Sequence, residues 1–168
     1  MKPILKYSLL ASFIVIAIRL FVYFTHSQFS QFGIFSGLIS LALLVIPLVL
    51  GIKNKKNELG GFITLKQIMS VGLGISVITG TIVCAFTYLY FQFIDHETLT
   101  QLIIQSEDFM HKANKPQTEI DVQIIALKEF YAPLKQATGT LTGILISGLI
   151  LSFISSTFLV KNPPASEN

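Results

Sequence analysis

Glu107, Asp108 and His111 are the residues whose types and spacing come nearest to chemistry. Glu107 and His111 stand four apart, so on a helix they share a face and could hold a divalent cation. His96-Glu97 lies a short way upstream. A structural zinc site takes four protein ligands, however, and a catalytic one takes three plus water. The sequence contains no His-Glu-x-x-His, and no second histidine falls on the same face. A solvated polar face opposite Leu102 and Phe109 accounts for the same residues and is the expectation. The three stay weak metal candidates, and no cofactor is expected.

Other chemistries fare no better. The serines lie in apolar runs without a histidine at the same depth, and no Gly-x-Ser-x-Gly appears, which argues against a hydrolase. Gly60-Gly61 is no phosphate loop, because no Gly-Lys-Ser/Thr follows at the required spacing. The single cysteine, Cys84, sits inside an apolar run and reads as a small apolar filler. Arg19 is the one ionisable residue within an apolar run. A charge at the bilayer centre costs about 3 kcal/mol on insertion scales. Arg19 is only some ~9 Å of helix from the end of its run at Thr25. Snorkelling to the head groups is the favoured reading. Pairing within a bundle, or binding a ligand, is the sharper one, and Arg19 is the possible functional charge.

The elements that must position these residues are dictated by composition. The chain has 168 residues, of which 52% are hydrophobic and 12% charged, with a mean hydropathy of +0.68. A soluble domain would carry about a quarter charged residues. The deficit marks an integral membrane protein, and the bilayer is its first expected partner. Nucleic acid is excluded as a partner, since the lysines gather at the ends of apolar runs and form no basic stripe.

Four transmembrane helices follow, at 7–25, 32–52, 67–94 and 136–160, in an all-α bundle forming one membrane domain. The positive start of the first fits a signal peptide, but no small-x-small cleavage site follows, so a retained span is expected. In the second, Pro47 removes the hydrogen bond to the Leu43 carbonyl and should kink the helix. A basic cytoplasmic loop, 53–66, carries Lys53, Lys55 and Lys56 and the flexible Gly60-Gly61 pair. Thr64-x-x-Gln67 is a capping box that opens the third span. That span has no charge from Gln67 to Ile94. At about 42 Å of helix it exceeds the hydrocarbon core and should tilt or project. Tyr23, Tyr88 and Tyr90 fall near the outer ends and Tyr7 near the inner one, where amphipathic rings prefer the interface.

Small residues recur every four positions in two spans: Gly72, Ser76 and Gly80 in the third, and Gly139, Gly143 and Ser147 in the fourth. The fourth also carries Gly148, Ser152 and Ser156. Such strips let helix backbones approach closely in lipid, so these spans should pack on each other or on copies in another subunit. Between them, 95–135 should form a helical hairpin outside the membrane. Leu99, Leu102, Ile103, Phe109 and Met110 fit one helical face, Asn114-Lys115-Pro116 breaks the pattern, and Ile120, Ile124, Leu127 and Tyr131 resume it. Pro133 should kink the join to the last span. About 40 residues bury little core alone, so the hairpin must lean on membrane, spans or a partner. Lysines flank one side of the spans, while 95–135 holds seven acids against four lysines. By the positive-inside bias, both termini and the tail 161–168 are cytoplasmic.

Four features resemble a bacterial family of four-helix membrane proteins, domain of unknown function 4199, found mainly in Bacteroidota. They are the Lys-rich loop, the Gly60-Gly61-Phe62-Ile63-Thr64-Leu65-Lys66 lead into the glycine-rich third span, the outer segment ending near Tyr131-Ala132-Pro133, and the closing Phe158-Leu159-Val160-Lys161. The resemblance implies this topology and an inner-membrane location, and it implies no activity. The expected role is non-enzymatic, acting by helix association as a homo-oligomer or as the accessory subunit of a membrane-protein partner. The alternatives are a small channel or transporter using Arg19 and the polar faces of the third and fourth spans, and a metal site on the outer hairpin.

Overall fold

The computed structural model describes residues 2–95 and 97–161. His96, the tail 162–168 and the side chain of Lys2 lie outside the described residues. The chain is all-α there, and four of its helical stretches are long and apolar enough to cross a membrane: Pro3–Phe24, Gln31–Glu58, Leu65–Ile94 and Pro133–Leu159. In chain order the helices are α1 (Lys2–Phe24), α2 (Gln31–Leu43), α3 (Val45–Glu58), α4 (Leu65–Leu89), α5 (Glu97–Lys112), α6 (Gln117–Phe130) and α7 (Pro133–Leu159). A π-helical turn, Tyr90–Ile94, extends α4.

Three helices stop in the same way. After α1, α3 and α5 the chain turns into positive φ, first at His26 (49°), Gly60 (71°) and Asn114 (51°), with Gly61 following Gly60 at 89°. The turned residue's N–H then donates three residues back, to Tyr23, Asn57 and His111 respectively. The next N–H donates five residues back, to Val22, Lys56 and Met110. Each pair satisfies two carbonyls that the helix end leaves open. Gly and Asn tolerate this backbone most readily. His26 therefore serves the chain as a turn residue.

Helix starts are equally local. The Thr64–Gln67 capping box forms as expected: the Thr64 N–H donates to Gln67 Oε1 at 2.9 Å, and the Gln67 N–H to Thr64 Oγ1 at 3.4 Å. Ser30 caps α2 by accepting from the Gly33 N–H at 3.1 Å. Pro47 does interrupt the second apolar stretch, and the dislocation falls at Leu44, between α2 and α3. The Leu48 N–H still reaches Leu44 O, at 3.3 Å. Two expectations need correction. The basic stretch placed in a loop from 53 is helical as far as Glu58, because lysines are good helix formers and cations suit a C-terminal turn. Pro133 does not kink a continuing helix but opens α7 at its first position, where a missing N–H costs nothing.

Two compact units are distinguishable, Met1–Val83 with Leu141–Asn168, and Cys84–Thr140. In the first, α1 packs on α2 and α3. One apolar cluster joins Leu48, Ile52, Ile63, Ile68, Val71 and Ile75, with Ile4, Tyr7, Leu59, Leu151 and Leu159 against it. A second joins Ala11, Leu44, Val83 and Ile144. An antiparallel bridge between Ile63 and Lys161 ties the end of α7 to the lead into α4, through N–H···O bonds of 2.9 and 3.0 Å. Lys56 Nζ donates to the Leu159 carbonyl at 2.9 Å and so caps α7.

In the second unit α5 packs on α6. Ile120 is buried, with Ile124, Leu127 and Tyr131 half-buried, as the periodicity requires. Phe109 departs from its expected place on the inner face of α5 and is exposed. It stands about 100° around the helix from the half-buried Met110.

Gly60 generates a prediction. Its conformation costs an L-residue about 1–2 kcal/mol, and open space surrounds it. Gly60→Val should lower the thermal midpoint of the detergent-solubilised protein, whereas Gly60→Asn should restore most of it; equal midpoints would show that this turn does not hold α3's end.

Candidate functional site

The helix crossing of α4 and α7 is built from glycine and serine. A Cβ added to Gly72 would overlap the Ser152 hydroxyl and lie 2.8 Å from its Cβ. One added to Gly148 would overlap the Ser76 hydroxyl and lie 2.6 Å from its Cβ. The arrangement is reciprocal, each glycine receiving the other helix's serine. Those serines are tied down by their own helices: Ser76 Oγ donates to Gly72 O at 2.9 Å, and Ser152 Oγ to Gly148 O at 2.6 Å. Hydroxyls that return to the carbonyl four residues back present a slim, satisfied surface. Gly80 continues the contact, with Leu141 Cδ1 2.8 Å from where its Cβ would be.

A second set of hydroxyls joins α1 to α4. Ser8 Oγ lies 2.8 Å from Ile4 O and 3.3 Å from Ile75 O, and Thr79 Oγ1 donates to Ser8 O at 3.3 Å. Ser8 and Ser152 are 0% exposed. Among the described residues no buried side-chain N or O lacks a hydrogen-bond partner. Ala11, Leu44, Leu48, Ile75, Ser76, Thr79 and their neighbours on α7 line a partly open cleft of about 10 Å³, the size at which a single water begins to fit. These hydroxyls are committed to carbonyls, and what the arrangement can do is lock helices together.

The expected strips divide accordingly. Gly72, Ser76 and Gly80 face the crossing, with Gly148, Ser152 and Ser156 opposite or beside it. Gly139 and Gly143 do not: nothing lies within 4 Å of a Cβ built on either. Ser147 is only half-buried. Ser8 and Thr79 were missed by the sequence reading, although Ser8-x-x-x-Ser12 obeys the same four-residue rule in α1.

The metal candidates remain apart from any such site. Glu107 is half-buried on α5, and Asp108 and His111 are exposed. Among the described residues no three His, Cys, Asp or Glu side chains converge as ligands. Arg19 is half-buried on α1 and is held by an interaction. Cys84 is free and half-buried.

Tyr90 is corrected from an interfacial ring to a core one, 1% exposed. The π-helical turn is the cause. It carries the Asp95 N–H back to Tyr90 O at 2.9 Å, and Tyr90 Oη donates to Asp95 Oδ2 at 2.8 Å. Asp95, 5% exposed, also accepts from the Thr98 N–H at 3.1 Å and the Thr98 hydroxyl at 3.0 Å, capping α5. The signal for it was legible as Asp95-x-x-Thr98, a side-chain acceptor three residues before a helical N–H.

An all-α chain with four long apolar helices and glycine–serine crossings belongs to the class of helix-bundle proteins suited to a membrane. The particular family is also defined: the chain belongs to the family described as protein of unknown function DUF4199, whose sequence model matches residues 6–161. No curated protein and no solved structure matches the chain.

Three outcomes follow from this geometry. Gly72→Ala or Gly148→Ala should destabilise the protein by about 1–3 kcal/mol, since turning the serine hydroxyl aside leaves its Cβ in place. Gly143→Ala, which meets nothing within the chain, should cost less than either, and an equal loss there would show that the crossing is not the tight point. Tyr90→Phe strips one bond from a buried carboxylate and should cost about 1–3 kcal/mol, read as earlier loss of α5 protection in amide exchange. Near the start of α7, the hydrogen bond and charge of Lys135 hold the Glu129 carboxyl below its ordinary value. A depressed carboxylate contributes above its unfolded pKa, and the contribution is lost as pH falls through the folded one. Acidification should therefore release this exposed, salt-screened pair, and Glu129→Gln should abolish that pH response in Lys135.

Proposed function

We propose that this is a multi-pass protein of a bacterial inner membrane that acts by helix association and has no catalytic activity of its own. The observation that supports it is a set of buried hydroxyls beneath an extensively apolar surface. Buried positions on the long helices hold Ser8, Ser12, Ser76, Thr79 and Ser152, while Phe13 is 70% and Phe158 82% exposed. In water such a surface would aggregate. In lipid it is the expected one, because tails solvate the phenylalanines and buried hydroxyls find carbonyls.

In this reading the lysine-flanked helix ends face the cytoplasm with both termini, and α5 and α6 stand outside. The association surface is the unfilled small-residue face of α7 at Gly143 and Ser147. There a helix of a second copy, or of a partner membrane protein, can approach as closely as α4 does at Gly148.

Native mass spectrometry of the gently extracted protein tests this. A defined oligomer or a stoichiometric partner is expected, and Gly143→Leu should dissociate it while leaving membrane insertion intact. A monomer without partner, or an assembly indifferent to Gly143→Leu, would overturn the association reading. Orientation is tested separately in a Cys84→Ala background. Asn57→Cys should be shielded, and Asn114→Cys labelled, by an impermeant thiol reagent added to intact cells.

A further inference from the structure

Glu58 is the only acid in the sequence from Met1 through the end of α4, and it is already taken by Lys55 at 3.1 Å. The lysines around it are not balanced. The apolar cluster of Ile4, Tyr7, Ile52, Leu59, Ile63, Ile68 and Leu159 draws one end of α1, α3, α4 and α7 together. Lysines stand close in sequence to these residues: Lys6 on α1, Lys53 and Lys56 on α3, Lys66 on α4, and Lys161 just beyond the end of α7. The bridge between Ile63 and Lys161 fixes the last of these against the lead into α4, and Lys161 Nζ lies 5.3 Å from the centre of the Phe62 ring. Lys56 is spent on the Leu159 carbonyl. Lys53, Lys66 and Lys161 are exposed, and none of the described ion pairs includes them.

We propose that this lysine rim binds the phosphate-bearing head groups of anionic phospholipids, with Lys53, Lys66 and Lys161 as the contacting cations. The inference rests on the membrane reading above and adds the partner's chemistry. Charge complementarity selects the occupant. Lys6, Lys66 and Lys161 stand next in sequence to the exposed Leu5, Leu65 and Val160, at the ends of membrane-length helices, so the acyl chains and the anion of one lipid are met by adjacent surfaces. An ammonium on a flexible stem is suited to a phosphate whose position varies, and a soluble anionic protein would gain nothing from the exposed apolar side chains beside it. Each basic residue at an anionic surface strengthens binding on the order of fivefold at low salt.

The test uses the full chain reconstituted into vesicles of phosphatidylcholine alone or mixed equally with phosphatidylglycerol, re-extracted, with retained lipid quantified by mass spectrometry. Enrichment of phosphatidylglycerol over the bulk mixture is expected, falling toward none in the triple variant Lys53→Gln/Lys66→Gln/Lys161→Gln and in high salt. The variant Lys112→Gln/Lys115→Gln/Lys128→Gln, on α5 and α6 and the turn between them, should retain the enrichment. Inorganic phosphate should not displace the lipid. No enrichment in the parent chain, equal enrichment in the first variant, or displacement by phosphate would each overturn the proposal. Flotation with phosphatidylcholine vesicles separates the two readings. A chain that floats without selecting phosphatidylglycerol loses only this inference, whereas one that floats with neither vesicle loses the membrane reading as well.

Discussion

The approach of α4 to α7 at two glycine–serine pairs is the constraint on which the first unit depends. Hydrophobic burial cannot drive helix pairing in lipid, where tails are as apolar as leucine. What remains is dispersion and backbone polarity at short range, and both fall away steeply with distance. Gly72 and Gly148 remove the two side chains that would hold the helices apart. Ser76 and Ser152 fill the space without adding unsatisfied polarity. The same economy joins α1 to α4, where Ser8 and Thr79 exchange contacts with backbone carbonyls.

The second unit is held differently. Its anchor is a carboxylate, Asp95, that is withdrawn from solvent and surrounded by the Tyr90 hydroxyl and the N–H and hydroxyl of Thr98. A π-helical turn is what brings Tyr90 and Asp95 face to face, since an ordinary helical turn would pair that N–H one residue later in the chain's register. The extra residue thus trades regular helix geometry for a cap that both ends α4's extension and begins α5.

Much of this architecture was legible in the sequence, and the reasons are local. Apolar runs longer than a bilayer core, the Thr64–Gln67 capping box, the Asn114-Lys115-Pro116 break and the inward row of Ile120, Ile124, Leu127 and Tyr131 all encode themselves within a few residues. The pairing of Gly72 with Ser152 was legible only as a class, because two strips on α7 satisfy the same four-residue rule. Their difference, Gly148–Ser152 filled and Gly139–Gly143 open, depends on how far α7 is rotated about its axis. No spacing records that rotation. Tyr90 was misread for a related reason: a tyrosine near the end of an apolar run belongs at the interface unless a change of helical register turns it inward.

The bridge between Ile63 and Lys161 carries a consequence for the order of events during synthesis. α1, α2, α3 and the start of α4 emerge first, yet the residue that pairs with Ile63 emerges almost a hundred positions later. Until then the carbonyl and N–H of Ile63 have no strand partner, the Leu159 carbonyl that occupies Lys56 does not exist, and the glycine faces of α4 have nothing to close on. The early helices can form locally, but Ile63, Lys56 and the glycine face of α4 wait for α7 before that end is sealed. A chain truncated before Lys161 would therefore be a nearly complete set of helices whose last latch had never been fastened.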